Sequence, residues 1–236
     1  MSDLISVCRS AQLTPAAYQF YRAILISFPD QGGPPDQAHL RELATRSGVR
    51  LAATVSELAT KGLLQRDPAT GAIRVAYPFS GVKTPHRVTL TRASGDVNVG
   101  ERPCQLYAMC ALDALGIPLM LRRDALIASQ DALTGEAVEV HVRVTDSTAL
   151  TEGNGWVARW TPAGTVIYAR APEHEDEHDC GVDAASTCCP VINFFTSAAH
   201  ARVWADAHPV VDGVLLSQGE AMRRAHDLFG ELLHRA

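Results

Sequence analysis

Two short stretches of this chain carry side chains able to do chemistry. In Leu106-Tyr107-Ala108-Met109-Cys110-Ala111-Leu112-Asp113-Ala114-Leu115 a thiol and a carboxyl stand three positions apart. Positions i and i+3 of a helix share a face. Leu106 and Met109 flank that face, so Cys110 and Asp113 are expected to enter apolar surroundings together. A carboxyl group there is costly unless paired or protonated, and burial raises its pKa. A thiol beside it can share and pass a proton. The pair has a plainer reading too: a buried cysteine filling space and an aspartate capping a loop amide.

The second stretch is Cys188-Cys189-Pro190-Val191-Ile192-Asn193-Phe194-Phe195, with two thiols at the mouth of an apolar strand. Pro190 removes a backbone donor and stiffens the entry. Adjacent cysteines suit the capture of a soft metal, because thiolate is the soft ligand. One core cysteine beside an incidental neighbour would give the same pattern. A third cluster, Glu173 to Cys180, contains His174 and His178. It reads as an exposed acidic loop, with metal ligation by His174, His178 and Cys180 as the sharper alternative.

The elements that must position these residues form two groups. Residues 1–80 read mostly helical. Helices are expected over Tyr18–Phe28 (ending at Pro29), from Asp36 to about Thr45, and from about Leu51 to Lys61. Asp67-Pro68-Ala69-Thr70-Gly71 then turns between β-like pieces Leu64–Arg66 and Ile73–Ala76. That order predicts a winged-helix-like domain over 1–80. Residues 81–236 predict an α+β catalytic core domain, an antiparallel sheet covered by helices. Its pieces are a strand at Arg87–Thr91, a helix over Leu106–Leu115 closed by Gly116-Ile117-Pro118, and a half-buried strand through Val138, Val140, Val142 and Val144. A hairpin of Trp156–Trp160 and Thr165–Ala169, a strand at Val191–Phe195, helices near Ala198–Ala207 and Gly219–His234, and Val214–Leu216 between them complete it.

Composition limits the function classes. The chain has 236 residues, 47% of them apolar, enough for a full core in one or two domains. Its net charge is −5. Residues 1–80 hold eight basic and six acidic residues, a thin supply for the phosphate contacts that dominate DNA affinity, so nucleic acid is not expected as a partner. The longest nearly uncharged stretch, Leu106–Leu121, is too short and too polar to span a bilayer. The opening MSDLISVCRS has no basic run before an apolar block, which predicts a cytoplasmic protein without membrane association. In that compartment the six cysteines (8, 104, 110, 180, 188 and 189) are not expected to form a disulfide framework.

Leu106 to Leu115, followed by Pro118, resembles the cysteine–aspartate helix of the organomercurial (alkylmercury) lyases. Cys189 through Phe194-Phe195-Thr196-Ser197 resembles their second active-site strand, and Trp204, Ile127–Gly135 and the helical N-terminal part also fit. The resemblance covers most of residues 35–235 and joins two motifs 79 positions apart. It implies cleavage of a carbon–mercury bond in mercury resistance, with mercury as substrate and product and no organic cofactor. It implies catalysis by Cys110, Asp113 and Cys189, with mercury held by Cys110, Cys189, Cys188 and Asp113. Counting back from Phe194-Phe195 selects Cys189 as the second thiol; counting from the first cysteine of the family's pair selects Cys188. Some members carry a cysteine where this chain has Asp131. The implied partners are a small organomercurial, low-molecular-weight thiols and a mercuric reductase downstream.

The chemistry fits the residues by itself. An unperturbed thiol is only a few per cent ionised near neutrality, and metal binding expels its proton. Asp113 is placed to take that proton and deliver it to carbon. Two rivals remain at this level. A non-enzymatic winged-helix regulator would sense a soft metal through the same thiols. A cysteine hydrolase would need one of His86, His141, His200 or His208 beside a thiol.

Overall fold

A computed structural model of the protein describes residues 13–91, 104–145, 155–170, 189–209 and 212–234. Helix α1 (Pro15–Gln31) begins with Pro15 at its start, where a missing N–H costs nothing, and with Thr14 capping the Ala17 amide. It runs past Pro29 and stops where Gly32 turns left-handed at φ 69° and returns its N–H to Phe28. Helices α2 (Gln37–Arg46, capped by Asp36) and α3 (Leu51–Thr60) follow. Strands β1 (Leu64–Arg66) and β2 (Ile73–Ala76) form the expected antiparallel hairpin.

The remaining elements are β3 (Phe79–Ser80), β4 (Arg87–Leu90), β5 (Cys104–Ala108), α4 (Ala111–Leu121), β6 (Ala125–Gln130), β7 (Ala137–Val144), β8 (Trp156–Thr161), β9 (Val166–Arg170), β10 (Asn193–Phe195), α5 (Ala198–Ala207), β11 (Gly213–Leu216) and α6 (Gln218–Phe229). Among the described residues they make an α+β fold with two antiparallel sheets. Eight strands run in the order β1-β2-β3-β5-β4-β6-β7-β8, and three in the order β10-β9-β11. Strand β7 alternates buried Val138, Val140 and Val142 with exposed neighbours, as its period-two pattern requires. Among the described residues, no helix is long and apolar enough to cross a membrane.

Besides the first helix, several expected elements differ: the helix expected near Gly219–His234 ends at Phe229, and the strand expected at Val191–Phe195 starts only at Asn193. The helix expected from Leu106 begins only at Ala111, because Cys104–Ala108 is claimed as a strand between β3 and β4. The alternation of buried Leu106, Ala108 and Cys110 is the local trace of that pairing. Helix α4 then continues through Gly116 and Pro118 and ends at left-handed Arg122. The expected hairpin of Trp156–Trp160 with Thr165–Ala169 is absent: β8 pairs with β7, while β9 crosses into the second sheet between β10 and β11.

Helix α4 is buried from Ala111 to Met120, the mark of a helix apolar on every side. Gly116 serves this packing, since a Cβ there would lie 2.1 Å from Cδ2 of Phe229 on α6. Gly116→Ala, although the better helix former, is therefore expected to destabilise the fold by about 1–3 kcal/mol in equilibrium chemical denaturation.

Candidate active site

The chain leaves β5 along a course set by backbone bonds to three separate segments. Ala108 N–H binds the His86 carbonyl, Met109 N–H binds Pro78, and Ala111 N–H binds Ile192 at 3.1 Å. The last of these ties the first cysteine motif directly to the second. Cys110 sits between them as the N-cap of α4, its Sγ accepting from the Asp113 N–H at 3.4 Å. The cap thus joins Cys110 to Asp113, in place of the shared face expected from a helix already running. A helix N-terminus also favours a thiolate over a thiol.

Cys189 opens a single 3₁₀ turn (Cys189–Val191) ahead of β10 and donates its S–H to Asp113 Oδ2 at 3.8 Å. The ligand atoms of Cys110, Asp113 and Cys189 lie within 4.8 Å of one another. All three side chains are buried, with exposures of 0%, 0% and 3%. Oδ1 of Asp113 has no hydrogen-bond partner, and the carboxyl makes no ion pair among the described residues. Burial pushes Asp113 up to about 7, against the downward pull of hydrogen bonds from Cys110, Tyr77 and Cys189. Burial also drives Cys110 well above the usual thiol range. At Cys189 the contact with Cys110 pulls down, but burial and the Asp113 charge together leave the thiol raised. The resting site therefore keeps both thiols protonated while Asp113 divides between acid and carboxylate near neutrality, and the thiols give up their protons only to a group that outcompetes them.

Tyr77, just after β2, is a residue that sequence reasoning missed. Its ring packs on Phe229 at 5.4 Å, its carbonyl accepts from Tyr21, and its hydroxyl bears on the Asp113 carboxyl. Burial raises its pKa well above normal, and the Asp113 charge adds to that. No motif marks it, because it comes from a segment remote from both cysteines. Arg224 of α6 is half-buried, and it feels charge at Tyr77 and Cys110.

The other candidates lie elsewhere. Cys188, Cys180, His174 and His178 are outside the described residues. Cys104 donates to the Pro29 carbonyl at 3.2 Å. His86 contacts Ser129 Oγ at 2.9 Å, and burial lowers it to about 4. His200 faces Asp131, His208 faces the Trp204 carbonyl, and His141 is exposed. Among the described residues no imidazole bonds to a thiol, so the hydrolase reading gains nothing.

Comparison with known proteins accords with this arrangement. Residues 79–230 match the alkylmercury lyase family, MerB. This protein belongs to that family. An alkylmercury lyase of Pseudomonas putida is 30% identical over 108 residues, 46% of this chain and 43% of its own length. One of Staphylococcus epidermidis is 30% identical over 135 residues, 57% of this chain and 50% of its own length. The matches thus span half or less of these curated relatives. The crystal structure of the mercury-bound form of MerB2 superposes with a TM-score of 0.71 at 24% identity, covering 97% of both chains, and shows the same fold.

For this alkylmercury lyase family member, the uncompensated carboxyl has a consequence for stability. The folded pKa of Asp113 is about 7, against 3.8 for an ordinary aspartate. Between those values the folded chain keeps a proton that the unfolded chain releases, so rising pH favours unfolding. The penalty is absent below about pH 4 and full above about pH 7, where it reaches about 4 kcal/mol at most. Asp113→Asn is thus expected to raise thermal stability relative to the parent at pH 8 and to change it little at pH 4, as read by melting curves at both pH values.

Proposed function

We propose that this protein is an organomercurial lyase that splits the carbon–mercury bond by protonolysis, R–Hg⁺ + H⁺ → RH + Hg²⁺. One observation carries the reading: two buried thiols and a buried carboxyl without an ion pair among the described residues have their ligand atoms within 4.8 Å in a chain of the alkylmercury lyase family. Substrate enters as a complex with a small thiol, R–Hg–SR′. Cys110 takes the mercury and returns its proton to the departing R′SH. Cys189 then passes its proton to the Asp113 carboxylate and binds the same mercury through sulfur. Two soft thiolates push electron density into mercury and weaken its bond to carbon. Asp113 delivers the proton to that carbon, RH leaves, and Hg(II) stays on the two sulfurs. Two small thiols displace it as Hg(SR′)₂ and restore both protein thiols.

Asp113 ends each cycle as it began, which suits a carboxyl whose pKa sits near neutrality. The sequence of steps calls on no organic cofactor. Reduced small thiols, a mercuric reductase that consumes the product and a cytoplasmic location belong to the same proposal. So does a share for Cys188 in holding or relaying mercury.

The finer assignment of residues 1–80 as a winged-helix-like unit is also part of it. The order α1, α2, α3 and the β1–β2 hairpin supports that assignment, and a family match that begins at residue 79 supports a division from 81–236. The sheet nonetheless runs across that point through β2 and β3, and Tyr77 reaches Asp113 from this side. Both features favour a unit that completes the catalytic site over one that reads DNA, and the sensor alternative finds no supporting observation.

The test is headspace detection of methane or benzene after methylmercury or phenylmercury is added with excess thiol. The protein is expected to release the hydrocarbon. Cys110→Ser and Cys189→Ser are each expected to lose roughly 10³-fold or more, and Asp113→Asn roughly 10²–10⁴-fold while still binding mercury. Turnover near that of the parent in either serine variant would refute the assignment.

A further inference from the structure

The strand that presents Cys189 is short, and a strand slipped by one residue sends every side chain to the opposite face. Something must hold its register. On one edge Asn193, Phe194 and Phe195 pair with Tyr168, Ile167 and Val166 of β9. On the other, alternate residues are tied to elements of the main sheet and α4. The Ile192 carbonyl accepts from Ala111 N–H, the Phe194 carbonyl accepts from Ala132 N–H, and Thr196 N–H donates to Asp131.

The Asp131 tie is of a different order from the backbone bonds beside it. The residue is 1% exposed. Oδ1 accepts from the Leu133 and Thr134 amides at 2.8 and 3.0 Å, which shapes the turn between β6 and β7. Oδ2 accepts from Thr196 N–H at 2.7 Å and faces Thr196 Oγ1 at 2.9 Å and His200 Nδ1 at 2.8 Å. An ionised carboxylate has no proton to give, so Nδ1 of His200 must carry the hydrogen. Thr196 Oγ1 also stands 3.1 Å from Glu136 Oε2. One carboxylate therefore gathers the β6–β7 turn, the end of β10 and the first turn of α5.

We infer that Asp131, with His200 and Thr196, is the register pin of the Cys189 strand and acts as a positioning group for the second thiol. This rests on the lyase reading for its effect on turnover, but not for its effect on metal geometry. Burial alone would raise Asp131; bonds from Thr196, His200, Leu133 and Thr134 outweigh it and hold the group down at about 2, so it stays a charged acceptor at neutral pH. The pin touches neither substrate nor either thiol. It fixes where the chain to Cys189 starts, seven residues from Thr196.

The test counts the sulfurs around Hg(II) by X-ray absorption, with mercuric chloride as the probe and Cys188→Ser as the background, so that Cys110 and Cys189 dominate the count. The parent background is expected to give two sulfurs. Asp131→Asn keeps the shape but exchanges one acceptor oxygen for a donor, and it is expected to give about one sulfur and at least a tenfold lower kcat while retaining one bound mercury. His200→Gln, which still offers an N–H, is expected to keep two sulfurs. If Asp131→Asn does not fold by circular dichroism, Thr196→Val carries the same test. Two sulfurs and kcat within twofold of the background, in the folded variant, would overturn the pin. Two sulfurs in the background, with no hydrocarbon released by the unsubstituted protein, would defeat the lyase reading and leave the pin to be judged on the sulfur count.

Discussion

A carboxyl group buried without a cation is the constraint on which the rest of this structure turns. Asp113 lies in the core between two thiols, with one oxygen unpartnered. Left to solvation energy, such a group would be expelled or replaced. It persists because the apolar scaffold around it is extensive enough to absorb the cost: α4 is buried from Ala111 to Met120, and its neighbours Leu112, Leu115 and Ile117 are 0–2% exposed. The same desolvation that penalises the carboxylate brings its pKa close to neutral and keeps the thiols protonated at rest. Stability given up at one position becomes a store of protons beside a soft-metal site.

Convergence of the site is achieved by backbone, not by side chains. The Ala111–Ile192 bond joins segments about 80 positions apart and leaves Cys110 one residue from one end of the join and Cys189 three residues from the other. A cap is the economical way to place Cys110, since its sulfur and the Asp113 amide are then fixed by the start of the helix itself. A strand entered through a 3₁₀ turn does the same for Cys189. Each thiol therefore sits at the terminus of a regular element, where a rigid scaffold meets a free side chain.

Much of this was legible in the sequence, and the parts that were not have a common cause. The spacing of Cys110 and Asp113 and the doubled cysteine before an apolar strand are local signals; in the structure Cys110, Asp113 and Cys189 come together, Cys110 as the cap of α4 in place of a shared helix face, while Cys188 lies outside the described residues. The β1–β2 hairpin and β7 were readable because turn residues and alternation of apolar side chains act within a few positions. Leu106–Ala108 reads as helix in the sequence because its flanking apolar residues satisfy both periods, and only pairing with β3 and β4 decides between them. The Trp156–Ala169 hairpin failed for the same reason, since β9 finds its partners in β10 and β11. Tyr77 and the Asp131–His200 contact join positions far apart in the chain, and no pattern within either neighbourhood announces them.

The central claim is that Cys110 and Cys189 act on one metal atom. Its most direct measurement is alkylation mapping: the protein is mixed with a single equivalent of Hg(II), guanidinium and excess iodoacetamide are added together so that the buried thiols become accessible, and modification of each cysteine is read by peptide mass spectrometry against a metal-free control. The account predicts that one equivalent protects Cys110 and Cys189 together and leaves Cys104 no less reactive than before. Protection of one alone, or a need for two equivalents to cover both, would contradict it.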